Sequence, residues 1–435
     1  MKHFEQIFLN NLRKQSVKES LIPNDWLQHS NEFIKRNDGL SENVDLIALN
    51  GTNFIMDFPD NTFSEKIGIH PDFFNKKNAP FNQYVCSIFM DISGSTNLAL
   101  EYDLTTVQQI KNAILSSGIY IIKGFGGHIH RLQGDALFAF TGHSKMTKSD
   151  AILQALNASA SIQYFNSKIL YDYFTNDLKV DPPKIRIGID FGDDNEVLWS
   201  NYGISDINEF TVTSIHSDLA SKLQHKAPKN SVMLGENVYR YLNLPPTLLK
   251  DKSYIKDGKK EKEYYIIDNH SVRYGMKIFN WSEYLNKISH FENEKDNPFH
   301  LKDPKHFKIK GFYTDTNTKK QIPFFSQVCL DKNLLLRFEL DFINPAYKNL
   351  VKGVEWKVIN YGYEAEVNND AQPFSLEEYR DKFSCVEYTA YNGMHYLECT
   401  LYNNQKNIIG KSHFSVFIHD NLMDNLNLNV LREVK

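Results

Sequence analysis

The chain has 435 residues, of which 41% are hydrophobic and 23% charged, so it can bury a full core and is long enough for two or three domains. Lys+Arg 49 against Asp+Glu 53 gives a formal net charge of -4, and no basic surplus points to a nucleic-acid polymer as partner. Cys86, Cys329, Cys385 and Cys399 lack metal-ligand spacing, no apolar run reaches the length of a membrane span, and the start lacks a signal peptide, so a globular protein of the cytoplasm is expected.

Residues 1–80 mix an amphipathic pattern, Phe4, Ile7, Phe8 and Leu12, with Asn-rich polar text, and read as an N-terminal extension. From Tyr84 the pattern sharpens. A strand is expected over Tyr84 to Met90 and a helix from Thr96 to Lys123, with Gly124, Gly126 and Gly127 as the breaker. A hairpin follows, His128 to Arg131 and Ala136 to Thr141, turning at Gln133-Gly134. Next come a helix from Ser149 to Tyr173, strands at Ile185 to Phe191 and Phe210 to Val212, a helix at Ser217 to His225 and a strand at Val232 to Leu234. Hairpins and helices without regular βαβ alternation make this α+β, with a mostly antiparallel sheet flanked by helices.

Asp251 to Lys262 is dense in lysine, and Glu292 to Asn297 is polar enough to be a junction. Beyond Pro298 the text becomes short alternating strands, among them Leu335 to Phe342, His395 to Tyr402 and His413 to Ile418, expected to form a separate β-sandwich. The expected division is an extension at 1–80, a core domain at 81–270 and a β-rich domain at 298–435.

Two strings carry chemistry. Phe89-Met90-Asp91-Ile92-Ser93-Gly94-Ser95-Thr96 places Asp91 at a strand end, and Arg131-Leu132-Gln133-Gly134-Asp135-Ala136 places Asp135 at a hairpin turn. Antiparallel neighbours would bring both carboxylates to one sheet edge, where they repel unless a cation with oxygen ligands, Mg²⁺ or Mn²⁺, lies between them. Ser93-Gly94-Ser95-Thr96 opens a helix whose free N–H groups favour phosphates. Either motif alone also fits a helix cap or a β-turn.

These strings, with Arg186-Ile187-Gly188-Ile189-Asp190-Phe191-Gly192, resemble the class III nucleotidyl cyclase domain in the same order, over roughly residues 82 to 268. The resemblance implies two divalent cations per site, Mn²⁺ or Mg²⁺, on Asp91, Asp135 and the Ile92 carbonyl. Phe89 and Ser93 to Thr96 would contact a nucleoside triphosphate. Attack of O3′ on the α-phosphorus would release pyrophosphate. The family's sites lie between two such domains, and this chain carries one with both sets of residues, which implies a homodimer.

In the family an Asn and, four residues later, an Arg contact the transition state. Asp218 and Lys222 stand at those places here. Lysine keeps the charge without arginine's fork, and an ionised Asp accepts but cannot donate. As residues i and i+4 of a helix they also fit a plain surface ion pair. The base-reading places hold Arg131 and Thr211. Arginine only donates, so it cannot satisfy guanine's N1–H and N2–H₂ edge, and a long donor suits a smaller base. Thr211 does not choose between uracil and cytosine, and UTP is placed slightly ahead of CTP. Lys256 and Lys259, in the lysine-rich loop, match a loop that meets the terminal phosphates.

An arginine at this place resembles the pyrimidine cyclases of the bacterial anti-phage system called Pycsar, whose cyclic UMP or cyclic CMP activates a separate effector protein. Trp356 to Ala365 and Glu387 to Cys399 resemble the C-terminal sensor module of defence nucleotidyl cyclases. The competing expectations are an adenylate cyclase and a catalytically inactive nucleotide-binding scaffold, the latter motivated by Asp218 and Lys222.

Overall fold

In a computed structural model, residues 67–68, 70–72, 80–204, 207–267, 272–287, 306–324 and 328–420 are described. The amphipathic N-terminal pattern and the Glu292 to Asn297 junction lie outside them. The described residues form two compact units. One runs to His143 and resumes at Gln154–Met233, and the other takes Ser144–Leu153 and continues from Leu234.

The first unit begins with strands β1 (Phe81–Asn82) and β2 (Val85–Ile92) and helices α1 (Ser95–Glu101) and α2 (Leu104–Gly124). Strands β3 (His128–Gln133) and β4 (Ala136–Thr141) follow, then α3 (Lys148–Tyr164), which belongs to this unit from Gln154 onward, and β5 (Ile185–Gly192). Strands β6 (Leu198–Ile204) and β7 (Ile207–Thr213), helix α4 (Ile215–Lys226) and strand β8 (Ser231–Gly235) complete it. Within this unit the sheet strands run β3-β4-β2-β5-β8, with β2 antiparallel to both β4 and β5, which makes β2 an interior strand. Its residues are accordingly buried on both faces, Val85, Cys86, Ile88 and Met90 at 0% exposure. A smaller sheet, β1-β6-β7, closes over Phe81, Val85, Phe140, Val197, Trp199 and Phe210.

The helix expected over Thr96 to Lys123 is two helices. Asp103 breaks it, capping α2 by accepting the N–H groups of Thr105 and Thr106 at 3.0 Å. The hairpin turn lies one residue later than expected, at Gly134 and Asp135, because Gln133 pairs with Ala136. Gly188 fixes the seating of α4 on β5. A Cβ there would stand 2.2 Å from the Ala220 carbonyl oxygen and 2.3 Å from the Gln224 nitrogen, so the helix lies as close as a bare backbone allows.

In the second unit, β9 (Leu249–Asp251) pairs with β14 (Met276–Phe279). The pairs β10 (Ser253–Lys256) with β11 (Lys259–Lys262), and β12 (Tyr265–Ile267) with β13 (Val272–Tyr274), form two hairpins. The expected sandwich follows. One five-stranded sheet runs β16 (Gln321–Phe324), β15 (Phe307–Thr314), β18 (Leu335–Phe342), β22 (Asp381–Tyr388), β21 (Glu378–Tyr379), with β18 at its centre. The other runs β17 (Cys329–Leu330), β24 (Ile408–Ile418), β23 (Gly393–Tyr402), β19 (Gly353–Ile359), β20 (Phe374–Leu376), with β23 at its centre. Alternate residues of both sheets, including Phe338, Trp356, Leu397 and Phe414, fill one core. No helix among the described residues is long and apolar enough to cross a membrane.

Candidate active site

Asp91 lies at the exit of β2, directly opposite Arg186 of β5 in the ladder. Arg186 Nη2 donates to Asp91 Oδ2 at 2.7 Å, and Gln224 Nε2 of α4 donates to the same oxygen at 3.1 Å. Burial raises the Asp91 carboxyl above the usual carboxylate value, the Arg186 hydrogen bond opposes this, and the adjacent Asp135 raises it further. Asp135 Oδ2 is buried and has no hydrogen-bond partner. Two carboxylates against one guanidinium leave a net negative charge and an orphaned acceptor, and a hard divalent cation is the group that fits. Among the described residues no three His, Cys, Asp or Glu converge on a metal site. A two-carboxylate set suits Mg²⁺ or Mn²⁺, which keep waters and take oxygens from substrate phosphates. Ile92, buried, ends the strand beside Asp91.

Phe89 stacks on its cross-strand partner Phe138, ring centroids 4.3 Å apart. Gly94 adopts a left-handed φ of 77° and precedes Ser95 and Thr96, the first residues of α1. Ser93 donates its N–H to the Lys184 carbonyl at 2.7 Å, so that donor is engaged within the protein. The structure thus gathers Asp91, Ile92, Asp135, Phe89 and the Ser93 to Thr96 turn around the end of β2.

Arg131 and Thr211 belong to a second group. Arg131, on β3, forms a two-point ion pair with Glu209 of β7: Nε donates to Oε1 at 2.9 Å and Nη2 to Oε2. Glu209 and Thr211 are i and i+2 on β7 and share a face, while Phe210 between them packs on Phe81 and Trp199. Asp218 and Lys222 lie on the exposed face of α4, with no ion pair between them. Opposite them on the helix, His216 is buried between Asp190 at 3.0 Å and Glu196 at 3.3 Å. Burial works against the charged ring, but the two carboxylates prevail and raise its pKa to about 9. Lys256 and Lys259 face each other across the exposed β10–β11 turn in the second unit.

Arg186, Gln224, Glu209 and the His216 group were not singled out from sequence. Arg186 had a visible signal, since an antiparallel β2–β5 pair places it opposite Asp91. The others depend on contacts between residues 20 or more positions apart, whose register local pattern does not carry.

Residues 286–419 match the family described as the adenylyl/guanylyl and SMODS C-terminal sensor domain. A Staphylococcus aureus protein named cytidylate cyclase is 42% identical over 394 residues, covering 90% of this chain and 92% of that relative. An Escherichia coli cytidylate cyclase is 32% identical over 379 residues, covering 81% of this chain and 78% of its own length. Among solved structures, the adenylyl cyclase CyaB from P. aeruginosa has a TM-score of 0.39 at 18% identity, over 46% of this chain and 95% of that one. The guanylyl cyclase Cya2 has a TM-score of 0.37 at 13% identity, over 50% of this chain and 98% of that one. This chain belongs to the cytidylate cyclase family, as a nucleotidyl cyclase with a C-terminal sensor domain.

Proposed function

We propose that the chain converts CTP to cyclic 3′,5′-CMP and pyrophosphate. The orphaned carboxylate oxygen of Asp135 beside Asp91 carries the reading as an enzyme. The sequence leans slightly to UTP, but relatives bearing the name cytidylate cyclase at 42% and 32% identity favour the cytosine nucleotide.

Asp91, Asp135 and the Ile92 carbonyl would hold two divalent cations, Mg²⁺ or Mn²⁺. Bound there, they supply Lewis acidity to the ribose 3′-oxygen and to the phosphates. The 3′-hydroxyl loses its proton to solvent, O3′ bonds to the α-phosphorus, and the bond to the β-phosphate oxygen breaks. Lys222 faces the charge that gathers on the α-phosphoryl oxygens, and Asp218 accepts from the ribose hydroxyl. The Ser93 to Thr96 turn and the β10–β11 lysines, Lys256 and Lys259, meet the phosphates.

The active species is a cytoplasmic homodimer with two equivalent sites. Its parts are an extension at 1–80, a cyclase domain at 81–270 and a sensor domain at 298–435. We read its role as antiviral: the sensor domain governs synthesis of a messenger that acts on a separate effector protein.

The test is incubation of the purified chain with Mn²⁺ or Mg²⁺ and each of ATP, GTP, CTP and UTP, with products resolved by chromatography and mass. Cyclic CMP from the parent and none from Asp91→Ala is the expected result. No cyclic product from any of the four overturns the reading.

A further inference from the structure

We propose that Glu209 reads the base: together with Arg131 it forms one planar hydrogen-bonding edge that accepts cytosine and rejects uracil. The inference rests on the cyclase reading and adds a residue and a specificity rule to it. A guanidinium has five N–H donors in a fixed plane. Glu209 takes two of them, from Nε and Nη2, through its two carboxylate oxygens. This leaves the end of the guanidinium free, one N–H on Nη1 and one on Nη2 pointing the same way. Glu209 Oε2, already bonded to Nη2, keeps a second lone pair beside them. The Arg131 and Glu209 side chains are 43% and 41% exposed, so this edge opens to solvent and not into the core.

The backbone beneath the pair is fixed. His130, next to Arg131, is buried at 1% exposure, and its Nε2 lies 3.2 Å from the carbonyl oxygen of Phe210, next to Glu209. Burial keeps the His130 ring neutral, which makes Nε2–H the donor of that bond. The tie joins β3 to β7 where the two side chains meet. Thr211 stands on the same face of β7 as Glu209.

The free edge presents, in order, donor, donor, acceptor: Nη1–H, Nη2–H and Glu209 Oε2. Cytosine presents O2, N3 and N4–H₂, which is acceptor, acceptor, donor. All three match. Uracil presents O2, N3–H and O4, so its N3–H faces the Nη2 donor and its O4 faces the carboxylate. Guanine opposes donors with N1–H and N2–H₂. Adenine satisfies Nη2 with N1 and Oε2 with N6–H₂ but leaves Nη1 without a partner. The hydrogen-bond pattern therefore ranks CTP first and ATP second, with UTP and GTP disfavoured.

The experiment measures kcat/KM for CTP, UTP, ATP and GTP with the parent, Glu209→Gln and Glu209→Asp. In Glu209→Gln the CTP to UTP ratio should fall by about tenfold or more, the scale of one lost bidentate base contact. Glu209→Asp, which keeps the carboxylate, should recover part of the preference. A residue that only braces the fold would lower all four substrates together. That outcome, or an unchanged ratio, overturns the proposal. A parallel arm measures equilibrium binding of CTP and UTP in Ca²⁺ by calorimetry. A parent that makes no cyclic product yet binds CTP over UTP, with the preference lost in Glu209→Gln, would sink the cyclase reading and leave base reading by Glu209 standing.

Discussion

Two groups of acids lie beside the neighbouring strands β2 and β5, and they are treated oppositely. At one, Asp190 and Glu196 bracket a protonated His216, and both carboxylates have a partner. At the other, Asp91 accepts from the Arg186 guanidinium and from Gln224, while Oδ2 of the adjacent Asp135 has no hydrogen-bond partner. The first group is complete within the chain, and it holds α4 to the sheet. The second leaves an acceptor without a counter-charge inside the chain. A buried acid becomes a candidate site through the missing counter-charge and not through burial alone.

The sharpest way to break this contrast is to remove each group in turn. Asp91→Ala or Asp135→Ala should cut cyclase activity by about a thousandfold, roughly 4 kcal/mol of transition-state stabilisation. The parent's melting temperature should rise on adding Mn²⁺, and that of Asp135→Ala should not; an equal rise in both would put the cation elsewhere.

His216→Ala leaves two carboxylates buried without their cation and should destabilise the first unit by about 3–5 kcal/mol in urea titration. The His216 pKa stands at about 9, above the ordinary 6.5. Its contribution is therefore complete below pH about 6.5 and fades as pH rises through about 9. Parent and variant should converge in stability on the alkaline side, and a gap that persists unchanged at pH 10 would refute the charge assignment.

On the proposed role of Lys222 at the α-phosphoryl group, Lys222→Arg should raise kcat several-fold by supplying a bidentate fork, with KM little changed. A loss would show that the site is built around the shorter ammonium. The smallest effect is expected in the sandwich, where Glu364 accepts from Lys332 at 2.7 Å and from the Asn392 N–H at 2.7 Å. Lys332→Ala should cost about 1 kcal/mol or less, because the pair is partly open to solvent and the backbone donor remains.

The strands and the positions of the two candidate aspartates were legible in the sequence because both depend on local pattern. Alternation revealed β18 and β24, and the Asp91 and Asp135 strings stood at element ends. The helix break at Asp103 was legible in principle, since Asp103-Leu104-Thr105-Thr106 is a cap sequence inside an otherwise helical run. Strand β6 was not, because its face is largely exposed and Leu198 to Ile204 shows little apolar contrast. The Glu209 and Glu196 contacts were hidden for another reason. Each unites charges from elements whose mutual register is set by the packing of Trp199, Phe210 and Phe81, and no window of sequence contains both partners.

Gly188 offers the geneticist a handle. Because the Ala220 carbonyl and the Gln224 nitrogen occupy the space of any added side chain, Gly188→Ala forces α4 outward without altering a single ionisable group. Gln224 would draw away from Asp91, and Asp218 and Lys222 would move with it. Such an allele should be conditional, active in the cold and lost on warming, and so allow the cyclase to be switched with temperature.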